Sequence, residues 1–279
     1  MTTPTALDLE RLTGCGAKTR GLDVRSADDA TIDAIRQAIF DHGVVFFEGQ
    51  TLTPDDQIAF ARRLGPIVIN RYFPKTEQWP EIAKVEKTET QTGNIGGGWH
   101  TDHSYDAAPA MGSVLLAVQT PPVGGDTLFA DMYAAYDTLS PEMKARLVGL
   151  VARHSSAHIF GERGAYTHSG RPEMAGNIDL PEAVHPVVIT HPGSGKKALY
   201  VNPTFTREIV GLDAEESRSL LDQLFAHAIN PRFVHRFSWS PGSMAIWDNR
   251  ATWHYALNDY QGHYRLMHRI TLDGVPLAA

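Results

Sequence analysis

Cysteine is almost missing from this chain: Cys15 is the only one among 279 residues. A lone thiol excludes an internal disulfide framework and any zinc site built on paired cysteines, and it suits a reducing compartment. Long apolar runs are missing too, since no stretch approaches the roughly 18 apolar residues of a membrane-spanning helix. The opening MTTPTALDLERL has neither a basic nor an apolar segment, so no signal peptide is expected and the expected location is cytoplasmic. Positive charge is in deficit, with 25 Lys and Arg against 32 Asp and Glu, a formal net charge of −7. Without a basic block or stripe, nucleic acid and anionic membranes are disfavoured as partners. A small anionic ligand stays compatible, because local arginines matter more than the net sign. Repeats, low-complexity tracts and obvious linkers are absent as well, so residues 1–279 are read as a single domain.

What is present is a patterned globular chain. GAKTRGLDV (16–24) reads as a short strand with a turn. SADDATIDAIRQAIFDHG (26–43) reads as a helix capped by Ser26 or Asp28, with Ile32, Ile35 and Ile39 on one face and Gly43 as its stop. VVFF (44–47) is a compact buried strand, and TPDDQIAFARRLG (53–65) is a second capped helix. Residues 66–98, with Pro74, Pro80 and a glycine cluster, read as an irregular, mobile loop over a site. Strands are expected at 111–120 and 126–132, then a helical stretch over 132–150 broken near Ser140–Pro141, then a polar insert over 155–183. AVHPVVITHP, KKALYVN, FVHRFSWS, SMAIWDN and YRLMHRITL read as later strands, interrupted by one helix over 213–230. A helical N-terminal part followed by many short strands argues for an α+β fold on a sandwich or barrel.

The stretch GGGWHTDHSY (96–105) carries the first chemical signal. In an extended strand, His100 and Asp102 point to the same face with Thr101 turned away. An imidazole beside a carboxylate is half of a facial 2-His-1-carboxylate site, the arrangement of non-haem Fe(II) oxygenases. Composition alone yields roughly one or two H-x-[DE] pairs in such a chain, so this one reads equally as a polar loop. A third ligand has to come from afar, and His254 in AIWDNRATWHYA is the candidate. Arg265 and Arg269 follow in YRLMHRITL, on one strand face and opposite His268. Two inward arginines call for anions; two arginines on an exposed edge strand are the bland alternative.

Together, WHTD (99–102), GGDTLFADM (124–132), WDNRATWHYA (247–256) and YRLMHRITL (264–272) closely resemble the taurine/2,4-dichlorophenoxyacetate dioxygenase (TauD/TfdA) family. HGVVFFEGQTLTPDDQIAFARRLGPI and HPVVITHPGSGKKALYVNPTF resemble it too, so the likeness covers roughly residues 15–275. The resemblance implies an α+β double-stranded β-helix, or jelly-roll, core flanked by helices, using Fe(II), 2-oxoglutarate as cosubstrate and O2. His100, Asp102 and His254 match the family's iron ligands. Thr127 matches the residue that bonds the 2-oxoglutarate tail carboxylate, Arg265 its salt-bridge partner, and Arg269 the arginine near the C1 carboxylate and the substrate's acidic group. The carboxylate ligand Asp102 separates the chain from halogenases of the wider superfamily and favours hydroxylation.

The resemblance is less informative about substrate. Where the taurine-oxidising member has a histidine, a tyrosine and an asparagine, this chain has Asn70, Phe73 and Gly96. Those departures point away from taurine, toward a larger or more apolar acid. Arg71 and Tyr72 either bind its acidic head or sit on the surface; Phe160 and Phe205 match pocket-lining positions. His103 reads as a non-ligand that contacts substrate from a bent loop, and glycines 96–98 let the backbone approach the pocket or form a flexible lid. The expected reaction is hydroxylation of a small organic acid (an alkyl sulfonate, a sulfate ester or an aryloxyalkanoate) beside a heteroatom, with C–S or C–O cleavage and release of succinate and CO2. A biosynthetic hydroxylase of an amino acid or secondary metabolite is the alternative within the class. A non-catalytic jelly-roll binding protein is the alternative outside it. The resemblance suggests a homodimer or homotetramer.

Overall fold

The computed structural model describes residues 7–73, 78–168, 171–176 and 179–279. Its first helix, Asp29–His42, starts where the Asp28 carboxylate accepts the Thr31 N–H at 2.8 Å and stops at Gly43, whose φ of 75° favours glycine. The second, Pro54–Leu64, opens with a capping box between Thr53 and Asp56, with proline in its first turn. Both bury an apolar stripe: Ile32, Ile35 and Ile39 from one, Ile58, Ala61 and Leu64 from the other.

These stripes cover one face of an eight-stranded sheet. Its order runs Leu9–Arg11, Ala17–Thr19, Val44–Phe47, Met244–Asp248, Gly112–Gln119, Arg265–Leu272 and Ile67–Val68, with Ala83–Lys87 also paired to Arg265–Leu272. Period-two alternation then sorts the side chains. Val45, Phe47, Ile246 and Ile270 pack under the helices. Val44, Phe46, Leu115 and Met267 face Phe129 and Phe237 of a second, three-stranded sheet. That sheet places Thr127–Asp131 between Val234–Phe237 and Thr252–Ala256. Two sheets, antiparallel except where Ala17–Thr19 pairs parallel with Val44–Phe47, close face to face with helices outside as the α+β jelly-roll core. No helix among the described residues is long and apolar enough to cross a membrane.

Several sequence expectations need correction. Residues 83–87, expected to be irregular, form a strand that pairs with Arg265–Arg269; positions 74–77 of the same segment lie outside the described residues. AVHPVVITHP is two strands rather than one. Glu182–Pro186 pairs with Val151–Ser155, while Val188–Thr190 pairs with Lys197–Leu199. Val187 between them sends its N–H to the Leu150 carbonyl at 3.0 Å, so the chain changes partners there. The stretch 132–150 breaks as expected, into Met132–Asp137 and Pro141–Leu147.

His154 lies fully buried on Val151–Ser155, with Nδ1 3.2 Å from the Thr206 hydroxyl and, among the described residues, no partner at Nε2. Burial, with His185 adding to it, pushes its pKa down to about 3, against about 6.5 for a free imidazole. The unfolded chain therefore takes up the proton first as pH falls. The neutral ring's stabilisation is complete above about pH 6.5 and is lost progressively below it, by about 2 kcal/mol at pH 5. In metal-free protein, His154→Gln is expected to flatten the fall in urea midpoint between about pH 7.5 and about pH 5. Parallel pH profiles of the two proteins would contradict this.

Candidate active site

Two backbone hydrogen bonds begin the site: His100 N–H to His254 O at 3.1 Å, and His254 N–H to His100 O at 2.8 Å. They form an isolated antiparallel bridge, and the chain leaves extended geometry right after it, reaching a φ of 60° at His103. The expected regular strand is thus a bridge followed by a turn. The outcome for the ligands is nevertheless the one expected. His100 Nε2 lies 3.6 Å from Asp102 Oδ1, and His254 Nε2 lies 3.8 Å from Asp102 Oδ2. One ligand atom from each of the three lies within 4.8 Å of the others, and all three residues are buried.

The protonation pattern fits a cation. His100 Nδ1 donates to the Gly98 carbonyl at 2.7 Å, which fixes the tautomer and leaves the Nε2 lone pair directed into the cluster. Burial holds both imidazoles neutral: it is the main cause lowering the pKa of His100 and of His254, and for His254 the neighbouring His100 adds to it. Asp102 runs the other way. Burial favours its neutral form, but the Arg269 guanidinium 3.4 Å away outweighs it and holds the carboxyl well below the usual range. Two neutral imidazoles and one carboxylate are the donor set of a facial Fe(II) site.

Packing holds this geometry. The Thr101 hydroxyl donates a short hydrogen bond to the Asn249 carbonyl, and Asn249 Oδ1 accepts from Trp247 Nε1 at 2.9 Å. Trp247 packs on the His254 ring with centroids 4.7 Å apart. Gly96 has a φ of 79°, and a Cβ there would approach His100 Cε1 to 3.3 Å. The glycine lets the backbone pass against the ligand ring, in line with the close-approach reading.

The triad opens into a cavity of about 350 Å³. Arg265 and Arg269 reach it from one strand, buried on the same face as Met267, while His268 lies half-buried on the other. Arg269 Nη1 is 3.4 Å from Asp102 Oδ2, and its guanidinium sits 4.5 Å over the Phe73 ring. The Nε atoms of both arginines lack a hydrogen-bond partner among the described residues. Thr127 also lines the cavity, and its hydroxyl accepts from Trp239 Nε1 at 2.9 Å.

The opposite wall is aromatic. Tyr72 stacks on Phe160 at 3.9 Å, and Phe205 and Tyr105 pack edge to face at 4.9 Å. Asn70 and His103 form its polar corner. Asn70 Oδ1 accepts the Tyr72 N–H at 3.0 Å, so its Nδ2 faces His103 Nε2 at 3.2 Å, and His103 Nδ1 donates to Asp106 at 2.9 Å. Arg71 is the exception among the expected substrate contacts. It does not line the cavity, and its guanidinium pairs with Asp106 at 3.0 Å and Asp179 at 3.6 Å. Sequence reasoning missed Tyr105, Asn94 and Tyr166, all of which line the cavity. Tyr105 was within reach, two residues after His103; nothing local marks Asn94 or Tyr166.

The profile of the Taurine catabolism dioxygenase TauD, TfdA family matches residues 8–271. The chain belongs to the TauD/TfdA family. It is 35% identical over 268 residues to the (S)-phenoxypropionate/alpha-ketoglutarate-dioxygenase of Sphingobium herbicidovorans, covering 94% of this chain and 92% of that one. It is 35% identical over 275 residues to the alkylsulfatase of Acinetobacter baylyi, covering 96% and 85%. Among solved structures it resembles a taurine dioxygenase from Burkholderia xenovorans, with a TM-score of 0.82, 32% identity and coverage of 98% and 93%. As a TauD/TfdA-family enzyme it is an Fe(II)- and 2-oxoglutarate-dependent dioxygenase, using O2.

Thr101→Val would leave the buried Asn249 carbonyl without its partner. A loss of about 1–3 kcal/mol is expected, read from urea midpoints. A change below about 0.3 kcal/mol would show that this clamp contributes nothing.

Proposed function

We propose that the enzyme hydroxylates a small organic acid carrying an apolar or aromatic body, at the carbon next to a heteroatom. The observation that carries this reading is the polarity of one cavity: two arginines and a triad at one end, stacked aromatic rings at the other. In this reading His100, Asp102 and His254 hold the iron. Thr127 and Arg265 receive the tail carboxylate of 2-oxoglutarate, and Arg269 serves the acidic groups nearest the metal. Bound iron, 2-oxoglutarate and dioxygen supply the hydroxylating chemistry, with succinate and carbon dioxide as coproducts.

The chain's own groups orient and shield. Arg265 offers a guanidinium fork for a carboxylate. Arg269, held by Asp102 and by the face of Phe73, keeps a positive charge beside the ligands. Tyr72, Phe160 and Phe205 exclude water from the substrate body, while the Asn70 carboxamide, oriented by His103, offers an N–H toward its polar group. Oxygen inserted next to an ether, sulfate or sulfonate carbon gives a hemiacetal-type product that collapses to a carbonyl compound. In that collapse the hydroxyl proton is lost and the C–O or C–S bond breaks as the C=O forms, so a phenol, sulfate or sulfite leaves. The names of the relatives support this class, since one acts on phenoxypropionate and the other is an alkylsulfatase. The reading takes residues 1–279 as one dioxygenase domain, assembled as a homodimer or homotetramer, with a cytoplasmic location.

Two measurements test it. Anaerobic addition of Fe(II) and 2-oxoglutarate is expected to produce a metal-to-ligand charge-transfer band in the visible, lost in the His100→Ala, Asp102→Ala double variant. Persistence of the band in that variant would refute the assigned ligands. Succinate release is expected to be fastest with aryloxyalkanoates or alkyl sulfate esters and slow with taurine and free amino acids. Fastest turnover on an amino acid would overturn the substrate class.

A further inference from the structure

Two buried cations face each other across neighbouring strands beside the cavity. Ala83–Lys87 runs antiparallel to Arg265–Leu272, and Lys87 is directly opposite Arg265. Residues so placed share a face with Cβ atoms about 5 Å apart, where like charges destabilise the pair. Both are buried, Lys87 at 2% and Arg265 at 5% exposure. Among the described residues neither forms an ion pair. Asp126, the acid that acts on Arg265, is already engaged by Arg236 at 2.6 Å. Arg171, the cation that acts on Lys87 after burial, is itself paired with Glu173 at 2.7 Å.

The lysine's own partners are weak ones. Its Nζ lies 4.4 Å over the Tyr260 ring and 3.4 Å from Gln261 Oε1. The Arg265 guanidinium acts on the Tyr260 hydroxyl as well, so one tyrosine faces both cations. Val85, two residues before Lys87 on the same strand, lines the cavity, whereas Lys87 stands behind it. A buried, unneutralised charge is expensive, and a hydrophobic residue of similar volume would relieve the repulsion. The pair calls for an anion on the cavity side of Arg265.

We propose that Lys87 is a positioning residue for the cosubstrate: it adds a second positive charge behind Arg265 and biases the cavity toward oxo acids that carry a tail carboxylate. The inference rests on the reading that Arg265 receives that tail. With an effective dielectric of about 20, one extra charge roughly 10 Å from a carboxylate changes its binding by about tenfold. A merely structural role, holding the Tyr260–Gln261 turn, would affect charged and uncharged tails alike.

The test compares 2-oxoglutarate with 2-oxopentanoate, which keeps the oxo acid head and lacks the tail carboxylate. Dissociation constants are measured by calorimetry on the full-length Mn(II)-loaded enzyme, with no turnover. Lys87→Met is expected to weaken 2-oxoglutarate about tenfold, to leave 2-oxopentanoate within about twofold, and to raise the melting temperature of the ligand-free protein. Lys87→Gln is read in the same comparison, in case the methionine variant does not fold. Equal weakening of both oxo acids, or an unchanged 2-oxoglutarate constant, overturns the proposal. Arg265→Ala separates the two readings. If it leaves the preference for 2-oxoglutarate intact, the assignment of Arg265 fails and the proposal with it; if it abolishes the preference while Lys87→Met does not, only the role of Lys87 fails.

Discussion

The reciprocal hydrogen bonds between His100 and His254 are the joint on which the site depends. They tie a turn in the first half of the chain to a strand near its end, with backbone groups alone. Every other contact at the triad adjusts that joint. Thr101 fastens the turn to Asn249, Asn249 sets the Trp247 indole, and Trp247 backs the His254 ring. Protein contacts alone thus set the relative placement of the three ligands, and the Asp102 carboxylate finds its charge compensation in Arg269. Preorganisation of this kind saves the ordering cost that a flexible site would meet on binding.

A second buried network supports the first from behind. Asp248 accepts two side-chain bonds from Arg250, at 2.9 and 2.6 Å, and one from His191 Nε2 at 2.9 Å. Burial would favour the neutral carboxyl, yet Arg250 and His191 keep it well below the usual range. His191 Nδ1 accepts from Gly193 and Ser194, which fixes its tautomer. The turn between Met244–Asp248 and Thr252–Ala256 is thereby pinned, and with it the spacing from Trp247 to His254.

Where local chemistry decided structure, the sequence was legible. The capped helices, the VVFF strand and the break before Pro141 follow from residues a few positions apart. Four ordered motifs carried the site's charged end. The strand Ala83–Lys87 was not legible because AKVEK is short, has Val85 as its one large apolar residue, and buries a charge, Lys87, where the inward pattern calls for an apolar one. The split in AVHPVVITHP was hidden because both halves are apolar and only their partners differ. His103 sits at a bend and lines the cavity without joining the triad, as the bent-loop reading has it, although nothing local marks its positive φ. Arg71 was ambiguous for a different reason: its partners, Asp106 and Asp179, are set by tertiary placement.

The Tyr72–Phe160 stack joins two segments that belong to neither sheet. The iron and cosubstrate end of the cavity stands on strands whose pairing fixes the whole core, so change there is penalised everywhere. The aromatic end stands on loops and the short helix Ala157–Phe160, outside that pairing. Natural variation can thus exchange one acid for another by altering that wall while the oxidising machinery stays fixed. The two rings must vary as a pair, because a change in one removes the other's support.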